Sequence, residues 1–207
     1  MNIVLGGAQI GSSYGLFNKK NFSNKEISKI EKILVSSNIR YIDTAPGYGK
    51  SQEIIGNSKL KNLKIMTKIK LPPNKKINLT KFLSSQISLT LKKLKKKRIY
   101  AILIHDFKDL LSKNGQVLLN FLKNLKKKKI VKKIGVSIYS PNDLKKIWKF
   151  WKPDIVQAPL NVIDQRILKS GWISKLKKNK IKIVVRSCFL QGILINNFNH
   201  LKISKNS

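Results

Sequence analysis

An aspartate, a tyrosine, a lysine and a histidine stand in this chain at positions that suit proton transfer to an oxygen: Asp43, Tyr48, Lys68 and His105. The first two share one short stretch, Ile42-Asp43-Thr44-Ala45-Pro46-Gly47-Tyr48-Gly49. Its Pro and Gly explain a turn, but a turn needs neither the carboxylate nor the phenol. A phenol has an ordinary pKa of about 10 and donates its proton poorly at neutral pH unless a cation lies beside it. Lys68 is a cation available for that task, and Asp43 is a carboxylate that could hold it in place. His105 adds a neutral hydrogen-bond donor able to orient a carbonyl oxygen. Together they suit protonation of an oxygen that becomes anionic as hydride arrives at carbon. Taken singly, each has a plainer role: turn former, loop aromatic, one lysine among many, structural histidine. Lys68 also admits a second chemistry, a Schiff base in a barrel aldolase or lyase.

The elements that must position these residues follow from periodicity. Short β-rich apolar runs at 2–6, 39–43, 63–68, 99–105, 132–137, 154–159 and 181–186 alternate with helical spacing at about 24–37, 51–57, 79–96, 113–128, 141–150 and 164–178. Strand then helix, repeated, predicts a parallel sheet with helices outside it. Asn24 and Thr80 are expected N-caps, and Ser140-Pro141-Asn142-Asp143 supplies a capping residue with Pro at the first helical position. Six successive strand candidates end, or nearly end, in a residue that an apolar strand does not need: Asp43, Lys68, His105, Ser137, Gln157 and Arg186. A (β/α)8 barrel gathers its C-terminal strand ends on one face, whereas a doubly wound sheet gathers its site around one switch point. Five repeats fit the 143 residues between Asp43 and Arg186 (186 − 43), close to about 30 residues per strand-helix-strand unit. The last 21 residues after Arg186 hold no convincing eighth strand and helix. The expectation is therefore an incomplete α/β barrel of about seven units over 1–195, followed by a polar tail at 196–207. Its first and last strands would keep open edges through which chains could associate.

Composition narrows the function classes. The chain carries 44 Lys plus Arg against 9 Asp plus Glu, a formal net charge of +35. Arg occurs only at 40, 98, 166 and 186, and Lys, Ile and Asn are abundant together, as A/T-rich coding DNA would produce. The densest runs, at 91–98 and 122–133, fall late in expected helices, where cations complement the helix dipole. They read as solvated helix ends, and the aromatics do not interleave with them as a stacking platform requires. Non-specific, salt-sensitive polyanion binding is the expected electrostatic consequence. Cys188 stands alone, which excludes an intrachain disulfide and argues against a cysteine-based zinc site. No apolar run approaches the roughly 18 residues of a membrane span, and the N-terminus lacks signal-peptide features. A cytoplasmic protein without a membrane partner is expected.

The order of motifs along successive strands resembles the aldo-keto reductase family: LGGAQIGSSYG at 5–15, IDTAPGYGKSQEIIG at 42–56, IMTK at 65–68, LIHD at 103–106, GVS at 135–137 and VRSCFLQGIL at 185–194. The likeness covers residues 3–194. It implies a TIM-type (β/α)8 barrel without a Rossmann fingerprint, and it implies a catalytic tetrad of Asp43, Tyr48, Lys68 and His105 with Tyr48 as general acid. It further implies NADPH, less often NADH, as hydride donor to a small aldehyde or ketone, with no metal. Ser137 and Gln157 match positions that hold the nicotinamide carboxamide, and Ile138 stands where many members have Asn. Arg186 takes the place of a Tyr that often stacks on the nicotinamide ring, a task open to a planar guanidinium. The RSCFLQG stretch resembles relatives associated with sugar metabolism. In the family the grip on the adenosine phosphates follows strand eight, beyond the end of this chain. The resemblance therefore leaves a working carbonyl reductase beside a truncated descendant that is inactive or needs another chain.

Overall fold

The structure is a computed structural model and describes residues 3–14, 22–73 and 77–195. The strands are β1 (Val4–Gly6), β2 (Tyr41–Asp43), β3 (Lys64–Ile69), β4 (Ile99–Ile104), β5 (Val131–Ser137), β6 (Ile155–Pro159) and β7 (Lys182–Arg186). The helices are α1 (Ala8–Gly11), α2 (Asn24–Ser36), α3 (Ser51–Asn57), α4 (Leu79–Leu94), α5 (Lys108–Leu111), α6 (Gly115–Lys127), α7 (Pro141–Trp148), α8 (Arg166–Lys169) and α9 (Trp172–Lys178). All seven strands run parallel in the order β1-β2-β3-β4-β5-β6-β7. They form a nearly closed wall, an incomplete (β/α)8 barrel, and among the described residues β1 and β7 are the two ends of the order. The polar tail expected at 196–207 lies outside the described residues.

Two apolar layers hold this wall. Outside it, Ile42, Ile102, Ile104 and Val156 pack against Leu118, Leu122 and Leu144 of the helices, all without exposure. Inside it, Met66, Ala101, Leu103 and Ile155 meet Val4, Tyr41, Tyr100 and Val184. Because strand side chains alternate between faces, the residue two places after an inward residue also points inward. Met66 is thus followed by Lys68, Leu103 by His105, Ile155 by Gln157 and Val184 by Arg186. The period of two aims the polar strand ends into the barrel mouth, above an apolar plug.

The helix boundaries depart from expectation in three places. Ser23, not Asn24, caps α2: its Oγ accepts from the Glu26 amide at 3.3 Å while Glu26 Oε2 accepts from the Ser23 amide at 2.7 Å. Asn78, not Thr80, caps α4, with Oδ1 accepting from the Lys81 amide at 3.0 Å. The expected helix at 164–178 breaks into α8 and α9 at Gly171, whose φ of +73° is outside the helical range. Ser140 caps α7 as expected, with Asp143 Oδ2 accepting from its amide at 2.9 Å. Lys95, Lys129 and Lys180, just past α4, α6 and α9, all sit in left-handed backbone at φ 52°, 58° and 56°.

Candidate active site

The loop after β2 delivers Tyr48. The Tyr48 amide donates to Ala45 O at 3.0 Å and the Ser51 amide to Tyr48 O at 3.0 Å, so the segment turns directly into α3. Gly49 has φ +53°, and a Cβ there would meet Gly11 O at 2.2 Å, so only glycine fits both the backbone and the space. Ser51 Oγ donates to Gly7 O at 2.8 Å, which ties this loop to the turn after β1. The phenol is therefore carried by a loop fastened to two neighbouring strand ends.

Lys68 is the hub. Its Nζ donates to Asp43 Oδ2 at 2.6 Å and Oδ1 at 2.8 Å, to Tyr48 Oη at 3.0 Å and to Thr44 O at 3.4 Å. The Lys68 side chain is only 2% exposed, and Asp43 is the carboxylate that balances its charge. An ammonium in such a place needs both a counter-ion and hydrogen bonds. His105 follows β4, its amide donating to Ile69 O at 2.8 Å. Burial, and then the charges of Lys68 and Lys70, push its imidazole below the ordinary value despite Asp43. The ring is neutral at pH 7 and can donate one hydrogen bond.

All seven residues singled out from the sequence line one cavity of about 380 Å³ at this mouth. Ser137 on β5 and Gln157 on β6 are opposite each other in register. Both are buried, and Gln157 Oε1 has no hydrogen-bond partner among the described residues. A buried amide oxygen without a donor is costly, and a ligand amide could supply one. Arg186 lines the same cavity from the end of β7. Its guanidinium lies 4.5 Å from the centre of the Tyr139 ring, and Nη2 donates to Ile138 O at 3.1 Å. Sequence reading missed Tyr139, although an exposed aromatic just after a strand end is a visible signal. It also missed Thr44, which contributes a main-chain oxygen and so leaves no mark in residue type.

The barrel mouth thus brings a phenol, an ammonium, a carboxylate and an imidazole together at one cavity. The sequence model of the aldo/keto reductase family matches residues 2–206, and the chain belongs to that family. Family and fold support a carbonyl oxidoreductase in general, and the family uses nicotinamide cofactors. Similar solved structures include a Pseudomonas aeruginosa protein assigned to the aldo-keto reductases, with 19% identity, TM-score 0.72, and coverage of 89% of this chain and 72% of that one. The holo form of a Bacillus halodurans aldo-keto reductase aligns at 15% identity and TM-score 0.74, over 95% of this chain and 65% of that one. A glycerol dehydrogenase of Gluconobacter oxydans aligns at 19% identity and TM-score 0.71, over 98% of this chain and 65% of that one. These likenesses carry the fold, and the chain spans about two thirds of each structure's length. No curated protein matches the sequence. Among the described residues no helix is long and apolar enough to cross a membrane, and no group of three or more His, Cys, Asp or Glu could hold a metal ion.

Proposed function

We propose that this chain is a nicotinamide-dependent carbonyl reductase with Tyr48 as the proton donor. One observation carries the reading: Lys68 Nζ bridges the Asp43 carboxylate and the Tyr48 hydroxyl inside the barrel mouth. A carbonyl oxygen placed between Tyr48 Oη and the His105 ring takes a hydrogen bond from each. As that oxygen gains charge, Tyr48 gives it a proton, and the Lys68 ammonium stabilises the phenolate left behind. Asp43 pairs with Lys68 and aims it. Neutral His105 orients the oxygen without competing as a second acid. In the reverse direction the phenolate removes the proton from an alcohol.

Bound NADPH, or NADH, would supply the hydride. Ser137 and the unpartnered Gln157 Oε1 fit its carboxamide, and Arg186 offers a planar cation at the same mouth. NADPH is the proposed donor, drawn from a cytoplasmic pool. The proposed substrate is a small aldehyde or ketone, with the RSCFLQG stretch pointing to sugar chemistry. The lyase reading is weaker, because a Schiff base needs a free amine and Lys68 is engaged by two carboxylate oxygens and a phenol.

The test is NADPH titration followed by quenching of Trp148, Trp151 and Trp172 at low and high salt, then a carbonyl screen with Tyr48→Phe. Saturation that survives high salt is expected, with turnover falling about 10²–10⁴-fold in the variant at unchanged melting temperature. Full activity in Tyr48→Phe would remove the mechanism. Binding that vanishes with salt would leave a family member whose tetrad is not used unless another chain completes the site. Borohydride trapping on Lys68 would favour the lyase.

A further inference from the structure

The opposite mouth of the barrel carries a larger groove, about 610 Å³, between the N-terminal ends of β3, β4 and β5. Lys64, Lys96, Arg98, Lys126, Lys129 and Lys132 line it, and no acid does. They come from the two basic runs at 91–98 and 122–133, far apart in sequence, together with the first residue of β3. Only Lys126 is matched by a carboxylate, Asp154 at 2.6 Å; among the described residues the other five have none. Below the cations lie Ile65, Ile99 and Val131 and the ring of Tyr100, which stands edge-on to Tyr41 at 5.2 Å.

The charge extends past the groove. All six connections that lead from a helix into a strand, at 37–40, 58–63, 95–98, 128–130, 149–154 and 179–181, contain Lys or Arg. At the other mouth, the connections after β5, β6 and β7, at 138–140, 160–165 and 187–195, contain no Lys or Arg, whereas the connection after β2 ends in Lys50 and that after β3 begins with Lys70. Helix dipoles favour some of this asymmetry, but not the choice of residue at the helix ends. Lys95, Lys129 and Lys180 occupy left-handed backbone where a side chain costs about 1–2 kcal/mol and glycine costs little. Three lysines of this face thus occupy positions where the backbone favours glycine.

We propose that this groove binds single-stranded nucleic acid, with phosphates on the cationic rim and a base against the partly exposed ring of Tyr100, whose hydroxyl accepts from Lys182 Nζ at 3.0 Å. A strongly positive surface spread over six connections, in which Asp154 is the one acid, suits an extended polyanion better than a small anion. A concave groove with a ring in its wall suits one strand, whose bases are free to stack. Membrane-surface binding relies on apolar side chains that protrude, and here Ile65, Ile99 and Val131 are buried. The inference does not depend on the carbonyl chemistry at the other mouth.

The experiment is fluorescence anisotropy with a labelled uridine oligomer of about 15 nucleotides, set beside a duplex of the same length and phosphatidylserine vesicles. The groove variant combines Arg98→Glu, Lys129→Asp and Lys132→Glu, all at exposed residues. The control combines Lys25→Glu, Lys29→Glu and Lys81→Glu, exposed residues in the early turns of α2 and α4, with the same change in net charge. The groove variant is expected to lose at least about tenfold in affinity and about 2 units of salt slope, against at most about threefold for the control. Should the triple variant fail to melt cooperatively, Arg98→Glu alone is expected to lose about threefold. Equal losses in the groove and control variants, or preference for the duplex or the vesicles, would overturn the proposal.

Discussion

At one mouth of the barrel Asp43 grips Lys68 within the wall, where the lysine side chain is 2% exposed. At the other, Asp154 grips Lys126 and Lys133, which are 41% and 33% exposed. Asp154 also accepts from the Ile134 amide at 2.9 Å, so it pins the start of β6 to β5. The pairing is the same and the surroundings differ. Out of water, a lone ammonium is costly and its direction is fixed, so Lys68 can serve a single phenol. In water, the attraction is screened and the side chains exchange partners, so Lys126 remains available to another anion. Burial holds one lysine to a fixed set of partners, and exposure leaves the other able to exchange them.

The comparison is broken most severely by Asp43→Asn, which leaves Lys68 buried without its counter-ion. The expected loss is about 3 kcal/mol of stability, read in urea unfolding, together with loss of any carbonyl reduction. Asp154→Ala removes the Ile134 acceptor and frees two lysines, at an expected cost of about 1–2 kcal/mol. Its affinity for the uridine oligomer should rise, because Lys126 is released toward the groove.

Acid separates the two mouths. Burial and the neighbouring lysines hold the His105 pKa below its unfolded value of 6.5, so the unfolded chain binds the proton first. Stability should fall as pH drops from that value toward the folded one, and His105→Gln should remove this loss. Burial works against the charge of Asp154, but the Lys126 hydrogen bond and the Ile134 amide hold its pKa below 3.8. The stability from Asp154 is thus present above 3.8 and is lost only as pH falls on through its lower folded value. Denaturant melts at stepped pH should show the histidine-linked loss first. The smallest expected change is a gain of up to about 1 kcal/mol each from Lys95→Gly and Lys180→Gly, measured as a rise in melting temperature.

Residue spacing along the strands carried most of the architecture. A period of two makes a polar strand end visible as an exception, which is why Asp43, Lys68, His105, Ser137, Gln157 and Arg186 could be picked out together and all meet in one cavity. Caps were harder to read, because Ser23 and Asn24, or Asn78 and Thr80, are chemically alike and only backbone geometry chooses between them. Gly171 broke a helix because its left-handed φ is a property of the folded turn. The groove was hidden for another reason. Each lysine run, taken alone, is an ordinary helix end, and only the order of β3, β4 and β5 in the wall sets the two runs side by side.

That order also has a temporal side. Among the described residues each strand pairs only with strands adjacent to it in the chain, so no strand waits for a distant partner before it can pair. Contacts between chain neighbours form quickly, and domains are laid down from the N-terminus during synthesis. The wall can grow as the chain leaves the ribosome, each new unit docking on the one completed a moment earlier. Asp43 is in place before Lys68 has been made, and the cluster of Asp43, Tyr48, Lys68 and His105 is complete in sequence while β5 to β7 are still to come.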